Sequence, residues 1–114
     1  MIEIRPVQSN MEYSSERFTK RILFKKGDSV AFLLNFEPGQ ELPTHKHPGT
    51  AVYLLVLEGG GEMIVGGELS PVAKGDAVWV DGEADFAYRN SGTVPASLYV
   101  VLAKVPEERY AENI

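Results

Sequence analysis

The chain has no cysteine, only two histidines and a single tryptophan in 114 residues. Without cysteine there are no disulfides, thiolate metal sites or cysteine nucleophiles, so any chemistry rests on His, Asp, Glu, Ser and Tyr. Long apolar runs are also missing. The longest, residues 51–57, has seven residues, far short of the roughly 20 that a bilayer-crossing helix needs, so no membrane partner is expected. Basic residues are in deficit, with 11 Lys and Arg against 16 Asp and Glu and a net charge of -5. They form no run longer than a pair such as Lys25-Lys26, which opposes the continuous positive surface that nucleic-acid binding requires. The opening Met1-Ile2-Glu3-Ile4-Arg5 lacks a basic segment followed by an apolar stretch and a cleavage site, so cytoplasmic residence is the expectation.

What remains is a chain of average globular composition, 44% hydrophobic and 24% charged, with the length of one hydrophobic core. We expect a single domain over residues 1–114. Turn signals recur at Gly27-Asp28, Pro38-Gly39, Pro48-Gly49, Gly59-Gly60-Gly61, Gly66-Gly67, Gly75-Asp76, Asp81-Gly82 and Asn90-Ser91-Gly92. Their spacing of about 8 to 12 residues indicates many short strands. Residues 30–34, 51–57, 63–65, 77–80 and 98–102 carry the β-branched and aromatic side chains that suit a pleated sheet. Val65-Gly66-Gly67-Glu68 reads as a two-residue hairpin, and Pro38-Gly39 and Pro48-Gly49 as type II turns. The fold class is therefore all-β, a sandwich or barrel. Helix is expected only as a turn near residues 14–18 and in a tail over residues 106–112, where Pro106 suits a first helical position.

Both histidines fall in His45-Lys46-His47. On a strand, residues two apart share a face, so the imidazoles would project together while Lys46 points away. Such a pair can grip a metal ion, but a divalent site usually takes three or four protein ligands. The alternative is two barrel-mouth histidines bonded to backbone or water. Ser14-Ser15 lacks the glycine-flanked elbow of a hydrolase nucleophile, and Gly59-Gly60-Gly61 lacks the Lys-Ser/Thr tail of a phosphate-cradling loop.

Gly39, five residues, His45-Lys46-His47 and the strand from Val52 to Glu58-Gly59 together resemble the first conserved motif of the cupin superfamily. Gly75-Asp76-Ala77-Val78-Trp79-Val80 and Tyr88-Arg89-Asn90 look like the start and end of the second motif. The resemblance covers about residues 30–104 and implies a double-stranded β-helix, or jelly-roll barrel. It further implies a divalent metal (Mn, Fe, Ni, Cu or Zn) held by two histidines and a glutamate from the first motif and a histidine from the second. His45 and His47 match the first two ligands. The glutamate position is Val52 and the second-motif histidine position is Phe86.

These departures have their own physical reading. If Val52 faces inward, so does Leu54, and Phe86 brings Tyr88 to the same face. The wall becomes apolar, a pocket with two histidines and a tyrosine hydroxyl as its polar groups; the competing reading is a barrel simply filled by side chains. Glu41 shares the parity of His45 and His47 on a regular strand and is the first replacement ligand; Asp81, Glu83 and Asp85 are others. Trp79 and Tyr99 are core or partner-facing, and Arg89 belongs on the surface. Tyr53, Leu55 and Leu57 lie opposite Val52 as an apolar stripe, which together with the resemblance implies a homodimer unless a strand over residues 2–7 covers it. Two functions compete: a small-molecule-binding cupin with a reduced metal site at His45 and His47, and a metal-free cupin that binds an apolar ligand or serves as an interaction module.

Overall fold

A computed structural model describes residues 1–104 and 113–114. After a short 3-10 turn at Gln8–Asn10, the described residues form β1 (Thr19–Lys26), β2 (Ser29–Phe36), β3 (Glu41–His45), β4 (Ala51–Glu58), β5 (Gly60–Val65), β6 (Glu68–Ala73), β7 (Ala77–Asp81), β8 (Phe86–Arg89) and β9 (Ala96–Leu102). They build a five-stranded sheet in the order β1-β2-β9-β4-β7 and a four-stranded sheet in the order β3-β8-β5-β6. All the pairings are antiparallel. This is the all-β fold expected from the strand rhythm, in the double-stranded β-helix form that the resemblance implies. No helix among the described residues is long and apolar enough to cross a membrane.

Strand alternation sorts the side chains. On β4, Val52, Leu54 and Val56 are buried, whereas Tyr53 and Leu55 are 52% and 38% exposed. The inner faces of β2 (Phe32, Leu34, Phe36) and β9 (Leu98, Val100, Leu102) meet them in one core with Phe86 and Tyr88 of β8. β6 carries Pro71 opposite Glu62, which is tolerated because β6 lies at a sheet edge where a missing N–H breaks no interior ladder.

A buried polar cluster ties the chain before β1 to the larger sheet. Asn35 Nδ2 donates to Thr19 Oγ1 at 3.1 Å and to the Asn10 carbonyl at 2.9 Å, while its Oδ1 accepts from Ser97 Oγ at 2.7 Å. Tyr13 completes the cluster through its hydroxyl, 2.6 Å from Ser97 Oγ. Each buried polar atom thus has a partner, as burial without one would be strongly unfavourable.

Several expectations are corrected. Within residues 14–18 there is no helical turn, and residues 15–17 form a bend: Ser14 Oγ accepts from the Glu16 N–H, a local bond that competes with a helix, and the Ser14 carbonyl accepts from Gln40 Nε2. Residues 2–7 form no strand. There Glu3 pairs with Lys26 and Arg5 lies over Phe24, holding the segment beside β1, while Ile2 and Ile4 remain exposed. It does not cover Tyr53 and Leu55. Trp79 lies on the outer face of β7, 59% exposed, because Val78 and Val80 take the inward positions. The expected helical tail over residues 106–112 falls outside the described residues.

Candidate functional site

Two turns hold the histidine segment. Gly39 and Gly49 adopt φ of 87° and 84°, and the Gln40 and Thr50 N–H groups close back on the Glu37 and His47 carbonyls at 3.1 and 3.2 Å. These are the expected type II turns, with glycine at the position that requires positive φ. A second clamp comes from the loop after β7. The His47 N–H donates to the Gly82 carbonyl at 2.8 Å, and Glu83 accepts the Gly49 N–H at 3.0 Å. At Gly82 a Cβ would run into the backbone carbonyls of His47 and Thr50, so glycine there is needed for close approach.

Held this way, His45 and His47 face one interior space with their ring centroids 4.5 Å apart and edge to face. Lys46 turns outward, its Nζ 4.0 Å from Asp85. The His45 Nδ1–H donates to the Pro43 carbonyl at 2.7 Å, which leaves Nε2 as the acceptor of the neutral ring. Burial, partly opposed by this bond and helped by the Lys20 charge, lowers the His45 pKa. His47 is pushed down to about 4, first by burial and then by the His45 and Lys20 charges, so it is a neutral imidazole at neutral pH.

The two rings open into a cavity of about 450 Å³. Val52 and Leu54 of β4, Phe32 and Leu34 of β2, Val100 of β9 and Phe18 form apolar walls. Phe86 is a wall as well. It pairs with His45 across β3 and β8 and tilts against that ring at 5.8 Å, leaving the space before the imidazoles open. Lys20, Thr44 and Asn113 add polar groups. The volume and lining fit the general character of small-molecule sites.

Two of the residues anticipated here lie elsewhere. β3 carries a bulge: Leu42 opposes Tyr88 and His45 opposes Phe86, so three steps on β3 match two on β8. Pro43-Thr44 fills the irregular step, where proline cannot donate to the ladder. The extra residue reverses parity, so Leu42 lines the cavity with His45 while Glu41 is exposed beside Arg89. Tyr88 is fully buried against Phe36 at 4.7 Å and its hydroxyl donates to the Gly60 carbonyl. Burial pushes that hydroxyl up to about 12; it is a core group, absent from the cavity wall. The remaining acids are loop fasteners: Asp81 accepts from the Glu83 N–H, Glu83 from the Gly49 N–H, and Asp85 faces Lys46. Arg89 is a surface group paired with Glu62 at 2.7 Å, as expected.

The residue that sequence reasoning missed is Lys20. It is 6% exposed, lies opposite Leu34 across β1 and β2, and carries its Nζ 4.4 Å above the Phe32 ring. The parity of Phe18, Lys20 and Ile22 was the available signal, obscured because Lys20-Arg21 reads as a solvated pair.

The donor set does not fit a self-sufficient divalent ion. Two imidazoles are present, the other two expected ligand positions are Val52 and Phe86, and an ammonium shares the cavity. Among the described residues, no group of three or more His, Cys, Asp or Glu is arranged to hold a metal.

A barrel of two antiparallel sheets with a histidine-lined interior is the architecture of the cupins. The family profile for the cupin domain matches residues 32–102, and the chain belongs to that family. Solved structures agree. The protein TT1209 from Thermus thermophilus is 30% identical, with a TM-score of 0.85 over 90% of this chain and 98% of that one. An uncharacterized conserved protein with a double-stranded β-helix domain from Klebsiella pneumoniae is 23% identical, with a TM-score of 0.84 over 100% and 96%. A putative sugar phosphate isomerase from Acidithiobacillus ferrooxidans is 27% identical over 66% of this chain and 49% of its own length, with a TM-score of 0.61. No curated protein matches. The family sets the fold and leaves the reaction open.

Proposed function

We propose that the chain is a small-molecule-binding cupin that takes an organic ligand into the barrel cavity, with the apolar walls holding its body and His45 and His47 its polar end. The observation that carries this reading is the placement of Phe86 beside the imidazoles and not between them, which keeps about 450 Å³ open. Neutral imidazoles can accept or donate a hydrogen bond to the ligand. Calorimetric titration with 4-phenylbutanol, a neutral apolar probe, tests it. Saturable binding that Leu54→Trp abolishes by filling the cavity is the expected result; binding unchanged by Leu54→Trp would place the ligand elsewhere.

A second reading, with His45 and His47 as two ligands of an ion whose other donors come from the ligand itself, is favoured by one observation. The bond from His45 Nδ1 to Pro43 orients the ring and leaves Nε2 as an acceptor. Repeating the titration with equimolar zinc and with EDTA separates the two. Equal affinity in both supports the first; affinity that requires zinc supports the second.

We further propose that the outer face of β4, β7 and β9 is covered by a second copy of the chain. Tyr53 lies directly across from Trp79 on one side and Val101 on the other, and Leu55 across from Tyr99. This uncharged patch is the kind of surface through which two chains of net charge -5 can meet. Sedimentation should show twice the 12.5 kDa chain mass, reverting to a single chain in Trp79→Glu. A wild-type monomer at micromolar concentration contradicts this.

A further inference from the structure

The two nitrogens of His45 are placed unequally. The Pro43 carbonyl lies in the irregular step of β3 and meets His45 Nδ1 at 2.7 Å. A carbonyl oxygen has no proton to give, so Nδ1 carries the proton of the neutral ring and Nε2 keeps its lone pair. Among the described residues, no hydrogen bond reaches that Nε2. No buried side-chain nitrogen or oxygen among them lacks a partner. Nε2 is therefore not sealed in the core, and it is open to the cavity that its half-buried ring lines. Asn113 already accepts the Ile22 N–H on its Oδ1 at 2.7 Å, and Lys20 and His47 have interactions of their own, so His45 is the acceptor that the structure leaves for a ligand.

A molecule entering the cavity displaces water from this nitrogen. One that carries an O–H or N–H replaces the lost bond. One that carries none leaves a desolvated acceptor unpaired, which costs more than an average hydrogen bond contributes. Sites built in this way discriminate strongly between analogues with and without the group. A ligand that can only accept gains nothing from His45, because the ring proton is held by Pro43 on the other side. The walls set the rest of the ligand. Phe18, Phe32 and Phe86 bring three aromatic rings to the cavity, with Phe86 tilted beside His45 at 5.8 Å, and such rings pack well against another ring. The volume of about 450 Å³ equals that of about fifteen waters at roughly 30 Å³ each, enough for a bicyclic skeleton.

We infer that the ligand class of this cavity is a neutral hydrogen-bond donor, an O–H or N–H on an apolar body, with His45 as the specificity-determining acceptor and the Pro43 carbonyl as the group that fixes its tautomer. This rests on the cavity being the binding site, and no covalent step is involved.

The test uses three probes with one bicyclic frame: indole with an N–H donor, benzofuran with an oxygen acceptor and indene with neither. They are titrated calorimetrically into the full chain at pH 7.5 with EDTA present, so that no metal ion competes for the lone pair. Indole should bind about ten-fold tighter than indene or benzofuran. His45→Phe, which keeps a ring and removes the acceptor, should bring the three within about two-fold of one another. Nitrogen-15 NMR of the histidine-labelled wild type gives a readout that a merely structural role would not move. His45 should show a protonated Nδ1 and a bare Nε2, and the Nε2 signal should move upfield with indole and stay in place with indene. Equal affinity of the three probes, an indole advantage that survives His45→Phe, or a proton found on Nε2 would overturn the inference. If all three bind equally, only the donor assignment fails; if none binds, the cavity reading fails with it. Should circular dichroism show His45→Phe unfolded, the wild-type series and the tautomer decide.

Discussion

His47 shows how a single side chain couples the site to stability. Its imidazole sits among apolar walls beside His45 and Lys20, and its pKa falls from the ordinary 6.5 to about 4. Between those two values the unfolded chain binds a proton that the folded chain refuses. Stability therefore rises with pH across this window and is lost as pH falls from about 6.5 toward about 4. Urea unfolding of wild type and His47→Gln, followed over that range, should give a steeper fall for wild type; parallel curves would contradict the neutral, buried assignment. The pairing of the two histidines was readable because an i, i+2 spacing fixes a common face with no knowledge of the rest of the molecule. Lys20 was not readable in the same way. Its burial depends on β1 lying against β2 so that Lys20 meets Leu34 and Phe32, and the parity it shares with Phe18 and Ile22 gives a face without saying that β2 covers it.

Elements decide which residues reach the site. The regular-strand assumption that aligned Glu41 with the histidines fails at the β3 bulge, where Pro43-Thr44 inserts one residue against β8. The proline was the sequence signal for that irregularity, since an interior ladder seldom accommodates one. β4 and β8 behave as alternation predicts, and so Val52, Leu54 and Phe86 line the cavity. Tyr88 has the parity expected of it but lies farther along β8, where it meets Phe36 and the Gly60 carbonyl instead of the cavity. Parity specifies a face, and position along the barrel axis comes only from register. β1 itself is fastened by the Asn35 cluster, whose Thr19 lies between the cavity residues Phe18 and Lys20. Asn35→Ala strips partners from Thr19, Ser97 and the Asn10 carbonyl, and should destabilise the chain by about 1–3 kcal/mol in denaturant unfolding. A loss below about 0.5 kcal/mol, the range of ordinary surface changes, would show that the cluster does not hold β1 in place.

At the scale of the whole molecule, the turn rhythm and strand composition were enough to reach an all-β sandwich or barrel, because each short strand carries its own period-2 pattern and each turn its own glycine or proline; the choice of a double-stranded β-helix came from the resemblance of the two motifs. Whether the barrel interior was open or filled could not be read in the same way: it depends on how far the two sheets stand apart and on the tilt of one ring, Phe86, against His45. The account's central claim is that this interior is the binding site. The direct measurement is a methyl NMR titration of the valine- and leucine-labelled chain with 4-phenylbutanol. Val52, Leu54 and Val100, together with Leu34 and Leu42, should shift on titration, while the outward Leu55, Leu69 and Val94 stay in place. Shifts confined to the outward methyls, or none at millimolar probe, would contradict it.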